Sequence, residues 1–151
     1  MILDERIEFA SATALDTSGT DTDLIGDVYD TGGDGWNEAE GLYLVIQVST
    51  TATSAGSATV QFHLASDAAA AIATDGSATY HWSSDAIAVA ALTAGYYVAK
   101  IAIPAGQYER YVGILTTTGT AAITGGAINA FVTPNIKTWK AFANAPGAAI
   151  S

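Results

Sequence analysis

The feature that most constrains the fold is the rhythm of apolar residues: short alternating runs cut by Gly, Ser, Thr, Asp or Pro, with no long segment of 3.6-residue period. In "LYLVIQVS" at 42–49, Leu42, Leu44, Ile46 and Val48 face one way and Tyr43, Val45 and Gln47 the other, so this strand is apolar on both faces. In "SATVQFHLA" at 57–65, Ala58, Val60, Phe62 and Leu64 oppose Thr59, Gln61 and His63, the alternation of a half-exposed antiparallel strand. Its polar face is expected to meet solvent or a partner. Further strands are expected within 78–83, 96–103, 108–116 and 126–133, and the alanine run at 67–73 suits a helical turn or two. A series of short strands with turn signals between them defines an all-β chain, a sandwich or a barrel.

The 151 residues suit one domain, of a size that buries about 68–70% of the surface its unfolded chain exposes. Without cysteine, disulfides, thiolate metal sites and cysteine nucleophiles are excluded. No run approaches the roughly 18 apolar residues of a membrane helix, and the start "MILDERIEFA" lacks the basic and apolar regions of a secretory signal. A soluble, unexported chain with no membrane partner is the expectation. The net charge of −10, with only Arg6, Lys100, Arg110, Lys137 and Lys140 as bases, argues against wrapping nucleic acid, which needs clustered cations. The acids crowd into residues 1–40, which suits a solvated face or an acidic arm that meets a basic surface.

Before residue 42, Thr, Gly and Asp dominate and only "DLIGDVYD" reads as a strand, so long loops and weak edge strands are expected there. After Phe131 the alternation is lost and two prolines follow. The chain therefore divides into a sandwich domain over 1–133 and an extended C-terminal arm over 134–151, whose Trp139 and Phe142 need a surface to lie on.

Residues able to carry chemistry are scattered. His63 and His81 have no second histidine at ligand spacing; an oriented base built from His63 and Asp67 stands against a polar residue on a strand's outer face. The triplet Asp30-Thr31-Gly32 matches the Asp-Thr-Gly of aspartic proteases, but Asp27 and "GGDG" flank it where apolar strands are required, which favours a glycine-rich turn. In "DTGGDGWNEAE", Asp30, Asp34 and Gly35 fit an EF-hand, yet Gly32 and Gly41 stand where two ligands belong. A looser cation site from Asp27, Asp30, Asp34 or Glu38 competes with a solvated acidic loop. No phosphate cradle is present, and neither a catalytic constellation nor a cofactor is indicated. The chain reads as a structural or binding module.

The stretch "AGQYERYVGILTTTG" at 105–119 places Glu109 and Arg110 between two tyrosines. If Pro104–Gln107 closes a hairpin, Lys100 lies opposite Tyr111 and diagonal to Glu109. Arg110 is then left beside Tyr108, free for a cation–π contact or an acidic neighbouring subunit.

Taken together, "GLYLVIQVST", "AGYYVAKIAIPAGQYERYVGILTTTGT", "GGAINAFVT" and the opening "MILDERIEFA" resemble the capsid cement proteins of short-tailed phages, the family typified by the Bordetella phage cement protein. The Gly-Tyr-Tyr strand, the Pro-x-Gly turn and "YERYVGI" are the most specific part. The resemblance implies a jelly-roll β-sandwich on the outside of an HK97-type icosahedral capsid, bound to the major capsid protein and to other copies of itself as a dimer or trimer. It implies no enzyme activity and no cofactor. Within that reading the interface candidates are Trp36 in the acidic loop, Trp139 and Phe142 in the arm, Arg110, and acids including Asp21, Asp23, Asp27, Asp30 and Asp34 facing a basic rim. A carbohydrate-binding sandwich is the alternative, with Tyr80, Trp82 and Tyr97 as faces on which sugar rings stack.

Overall fold

The structure is a computed structural model and describes residues 7–15, 19–32 and 42–134. It contains β1 (Glu8–Ala14), β2 (Thr22–Asp30), β3 (Tyr43–Ser54), β4 (Thr59–Asp67), β5 (Thr79–Ser83), β6 (Ile87–Ala88), β7 (Tyr97–Ala102), β8 (Tyr111–Gly119) and β9 (Ile123–Thr133). A 3-10 turn, Val89–Ala91, follows β6. All pairings are antiparallel.

Sheet A runs β1-β9-β3-β7 and sheet B runs β2-β8-β4-β5, with β6 paired to β4. The chain passes between the sheets at β1 to β2, β2 to β3, β3 to β4, β6 to β7, β7 to β8 and β8 to β9. This order is the jelly roll, a double-sheet sandwich. Its interior follows from the period-2 patterning: Leu44, Ile46 and Val48 of β3 meet Phe62 and Leu64 of β4 and Ile114 of β8 in one apolar cluster. Burying a side chain of this size contributes roughly 1.5–3 kcal/mol.

Sheet B also has a small core on its outer face, where Ala65, Ile72, Ala78 and Leu115 are joined by Leu24, Val28 and Ala73. Ile72 comes from the alanine run, which forms no helix. Instead the Asp67 carboxylate accepts the Ala69 N–H at 3.1 Å and the Ala73 N–H at 2.9 Å, and the loop folds back on the sheet. A helix of one or two turns cannot repay its nucleation cost, and a short Asp side chain offers the backbone another partner.

Of two other expectations, one is met and one is corrected. The N-terminal segment does contribute edge strands, as its composition suggested, but β1 was not legible: Phe9 and Ala10 are both buried and its register to β9 shifts twice. The hairpin at 104–107 does not exist. β7 pairs with β3 in sheet A, whereas β8 lies between β2 and β4 in sheet B, so Pro104–Arg110 bridges the two sheets. Lys100 therefore faces Val45, not Tyr111, with its Nζ 4.0 Å from the centre of the Tyr97 ring. Glu109 takes its hydrogen bond from Thr79 Oγ1 at 2.9 Å.

Candidate functional site

Two clusters of polar side chains meet at the bridge Pro104–Arg110. β2 and β8 end side by side with Asp30 opposite Tyr111, and Arg110 stands one residue ahead of β8. From there its guanidinium donates through Nε to Asp30 Oδ1 and through Nη2 to Asp30 Oδ2, each at 2.9 Å. Thr31 completes the clasp, since its N–H and its hydroxyl both donate to the Arg110 carbonyl at 2.9 and 2.7 Å. The Gly32 N–H donates to Asp30 Oδ1 at 2.9 Å. The guanidinium lies 5.1 Å from the Tyr111 ring centre. Arg110's hydrogen bonds, with help from the Gly32 N–H, hold the Asp30 carboxyl down at about 2. Asp30 in turn raises the Arg110 pKa.

The sequence left Arg110 free for a neighbour; the structure gives it to Asp30. Two interface candidates thus occupy each other, at a site where both remain about half exposed, 48% and 45%. The same geometry argues against the protease reading. An aspartic dyad shares a proton between two carboxyls, whereas Asp30 is fixed in its ionised form by a bidentate cation.

Beside this clasp lies a second cluster. Tyr108 is buried, its phenol donates to the Pro104 carbonyl at 2.8 Å, and burial pushes its pKa up to about 12. It stacks on His81 at 3.7 Å between ring centres. His81 Nε2 pairs with Ser66 Oγ at 2.7 Å, and that oxygen accepts the Glu109 N–H at 3.0 Å. Burial lowers the His81 pKa, while the Glu109 charge works against that shift. The register slip of β5 on β4 between Leu64 and Ala65 is what turns His81 toward Ser66. Ser66 is fully buried, which suits a structural hydroxyl rather than a nucleophile.

His63 is also buried, contrary to its expected place on a solvent-facing strand surface. Its ring stacks on Tyr80 at 4.5 Å, and its nitrogens pair with Ser83 Oγ at 2.6 Å and Thr117 Oγ1 at 3.0 Å. Thr117 pairs onward with Thr22 at 2.8 Å. A row of hydroxyls thus crosses the outer face of sheet B, and Asp67, occupied by its loop, orients no base. Gln61 of the same face donates to the Ser84 carbonyl at 2.8 Å, so the polar face of β4 is closed by its own chain.

The sugar-stacking alternative loses its platform. Tyr80 lies in sheet B, Tyr97 in sheet A under Lys100, and Trp82 packs against the sandwich interior. A cleft of about 430 Å³ is bounded by small residues such as Ala52, Thr53, Ser57, Ala58 and Val89, with no aromatic wall. Among the described residues no cluster of three His, Asp or Glu is arranged to hold a metal ion. Asp34, Trp36, Glu38, Trp139 and Phe142 lie outside the described residues.

The strand order and the two packed sheets define a jelly-roll β-sandwich, and among the described residues its polar side chains are largely paired with one another. Among known families, the Bbp16 model matches residues 9–132, and the chain belongs to the Bbp16 family. That name is one of a Bordetella phage protein family and carries no stated function; with the β-sandwich it is compatible with a phage structural protein. No curated protein matches the chain.

Proposed function

We propose that the protein is a virion component that binds the outer surface of an HK97-type icosahedral capsid and cements neighbouring major capsid subunits. Membership of a phage family over residues 9–132, on a jelly-roll body, is the observation that carries this reading. The role requires a stiff body and broad surfaces, and it requires no catalysis or cofactor. The acidic edge strand β2, bearing Asp23 and Asp27, supports a contact with a basic capsid rim.

Cementing works by mass action. A protein that binds only the assembled, expanded lattice lowers the free energy of that state and opposes its rupture by the packaged genome. Self-association into dimers or trimers at local symmetry axes multiplies weak contacts, because each bound copy raises the effective concentration of the next. The test is co-sedimentation with cognate capsids before and after expansion, together with the temperature at which filled capsids burst. Binding to expanded capsids with a higher bursting temperature is expected; no binding at any maturation stage removes the proposal.

A further inference from the structure

The edge strand β5 is fastened to sheet B by side chains as well as by its short ladder, and two histidines make the fastening. β5 pairs with β4 through Thr79, Tyr80, Trp82 and Ser83, and the slip between Leu64 and Ala65 leaves His81 as the bulged residue. Across that ladder His63 Nδ1 meets Ser83 Oγ at 2.6 Å, and the Tyr80 ring stacks on the His63 imidazole. Further along, His81 Nε2 reaches back to Ser66 Oγ at 2.7 Å while its ring stacks on Tyr108. Tyr80, His81 and Ser83 of β5 are therefore each held through an imidazole.

The Ser66 hydroxyl fixes which form of His81 fits. Its oxygen already accepts the Glu109 N–H, and among the described residues the acceptor within reach of its own hydrogen is His81 Nε2. Ser66 is fully buried, so bulk water does not stand in. The closed arrangement thus calls for a neutral His81 with its proton on Nδ1. A proton added at Nε2 turns that nitrogen into a donor and leaves a buried hydroxyl hydrogen without an acceptor.

The groups around the two rings set the direction of the effect. His81 faces Ser66 from β4 and Tyr108 and Glu109 from the bridge, where Gly106 is close enough that a Cβ there would stand 3.4 Å from Nδ1. Glu109 favours the charged ring, but burial outweighs it and holds the pKa below its ordinary 6.5. His63 faces Ser83 and Tyr80 from β5 and Thr117 from β8, with Thr22 of β2 behind Thr117. None of these is a carboxylate, and burial lowers the His63 pKa as well.

We propose that β5 is an acid-released flap: protonation of His81, with His63 as the second site, frees Thr79–Ser83 from β4 and opens the edge of β4 from His63 to Ser66. The two ends of the flap stay in place. The Ala73 N–H remains on the Asp67 carboxylate, which is ionised at pH 5, and the Ser84 N–H remains on the Phe62 carbonyl. Between those anchors β5 lifts, and Trp82, partly buried against the interior, comes away with it. Unpaired strand backbone is a template for another strand, so acid turns a closed edge of sheet B into one that another chain can join. This holds whether or not the protein binds a capsid.

The test is amide hydrogen exchange on the full-length protein at pH 7.5 and 5.0 in low urea, expressed as protection factors so that the intrinsic rate cancels. Imidazole nitrogen shifts are recorded on the same sample. His81 is expected as the Nδ1–H tautomer at pH 7.5. The open state takes up protons near pH 6.5 and the closed state at lower pH, so opening should grow by up to about tenfold per pH unit for each histidine below 6.5. Protection across β5 should fall accordingly and with little urea dependence, which separates it from unfolding of the whole sandwich as reported by the β9 amides. A full-length His63→Gln/His81→Gln variant, whose amides still reach the hydroxyls but do not titrate, should lose that pH dependence. An Nε2–H tautomer of His81 at pH 7.5, or β5 amides that exchange with the rate and urea dependence of β9, overturns the proposal. So does β5 protection that is the same at both pH values, or a pH dependence that survives in the folded variant. The wild-type pattern decides the matter where the variant fails to fold.

Discussion

The guanidinium of Arg110 grips the carboxylate of Asp30 across eighty positions of chain, with two parallel hydrogen bonds of 2.9 Å. The pair ties the edge strand β2 to the start of β8, and the Thr31 bonds to the Arg110 carbonyl seal the same corner. Arg110→Lys keeps the charge but loses the fork. The Asp30 carboxyl, held near 2 mainly by Arg110, should then titrate closer to its ordinary 3.8, and Arg110→Ala should move it further. Carboxyl carbon shifts followed by NMR from pH 1.5 to 5 report this; an unchanged midpoint in Arg110→Ala would show that Arg110 is not the cause. The sign follows from the lowered pKa. Stability from this pair is present above pH 3.8 and is lost as pH falls toward 2. Because both side chains are half exposed, the contribution should shrink in high salt.

Ser66 is the hinge of the second cluster, accepting the Glu109 N–H and pairing with His81 Nε2 while fully buried. Ser66→Ala removes one oxygen and strands two groups, so it should destabilise the protein by about 1–3 kcal/mol. The bridge Pro104–Arg110 should also loosen, visible as faster amide exchange at Glu109. A loss below about 0.5 kcal/mol in a urea titration would mean that water satisfies both groups in its place.

His63 and His81 are both pushed below their ordinary 6.5, in each case chiefly by burial. A depressed histidine favours the neutral form in the folded state, so the unfolded chain binds more protons just below pH 6.5. Stability should therefore be full above pH 6.5 and fall as pH drops below it. The lowered aspartates, Asp30, Asp67 and Asp75, act in a separate window below pH 3.8. Urea midpoints at pH 7.5 and 5.0 test the histidine window. His63→Gln, whose amide still reaches hydroxyl partners, should flatten part of the slope; an equal slope would place the whole effect on His81 or elsewhere.

How much of this was written in the sequence varies with the range of the contact. The strands "LYLVIQVS" and "SATVQFHLA" show their interior faces through strict alternation, and the structure places Leu44, Ile46, Phe62 and Leu64 where that pattern puts them. β1 hides because "EFASATA" is poor in β-branched and aromatic residues and its pairing is bulged. The step from β7 to β8 misleads for a topological reason: a Pro-x-Gly turn looks alike whether it closes a hairpin or carries the chain to another sheet. Lys100, Glu109 and Arg110 consequently found partners that no local register predicts. His63 and His81 likewise look like surface residues until Tyr80 and Tyr108 cover them.

The β1–β2 corner supplies a sharp test of close packing. Gly26 lies within β2 at φ +77°, and a Cβ there would stand 2.0 Å from the Phe9 carbonyl oxygen, a backbone atom that cannot swing aside. Gly26→Ala therefore combines an unfavourable backbone region with a clash, and a loss of about 2–4 kcal/mol is expected. Gly76, at φ +93° in the β4–β5 loop, separates the two causes, since a Cβ there meets nothing within 4 Å. Gly76→Ala should lose only the backbone share, about 1 kcal/mol. Denaturant midpoints of the two variants give the difference, which is the steric share at the corner. Equal losses would mean that β1 moves away from β2 at little cost.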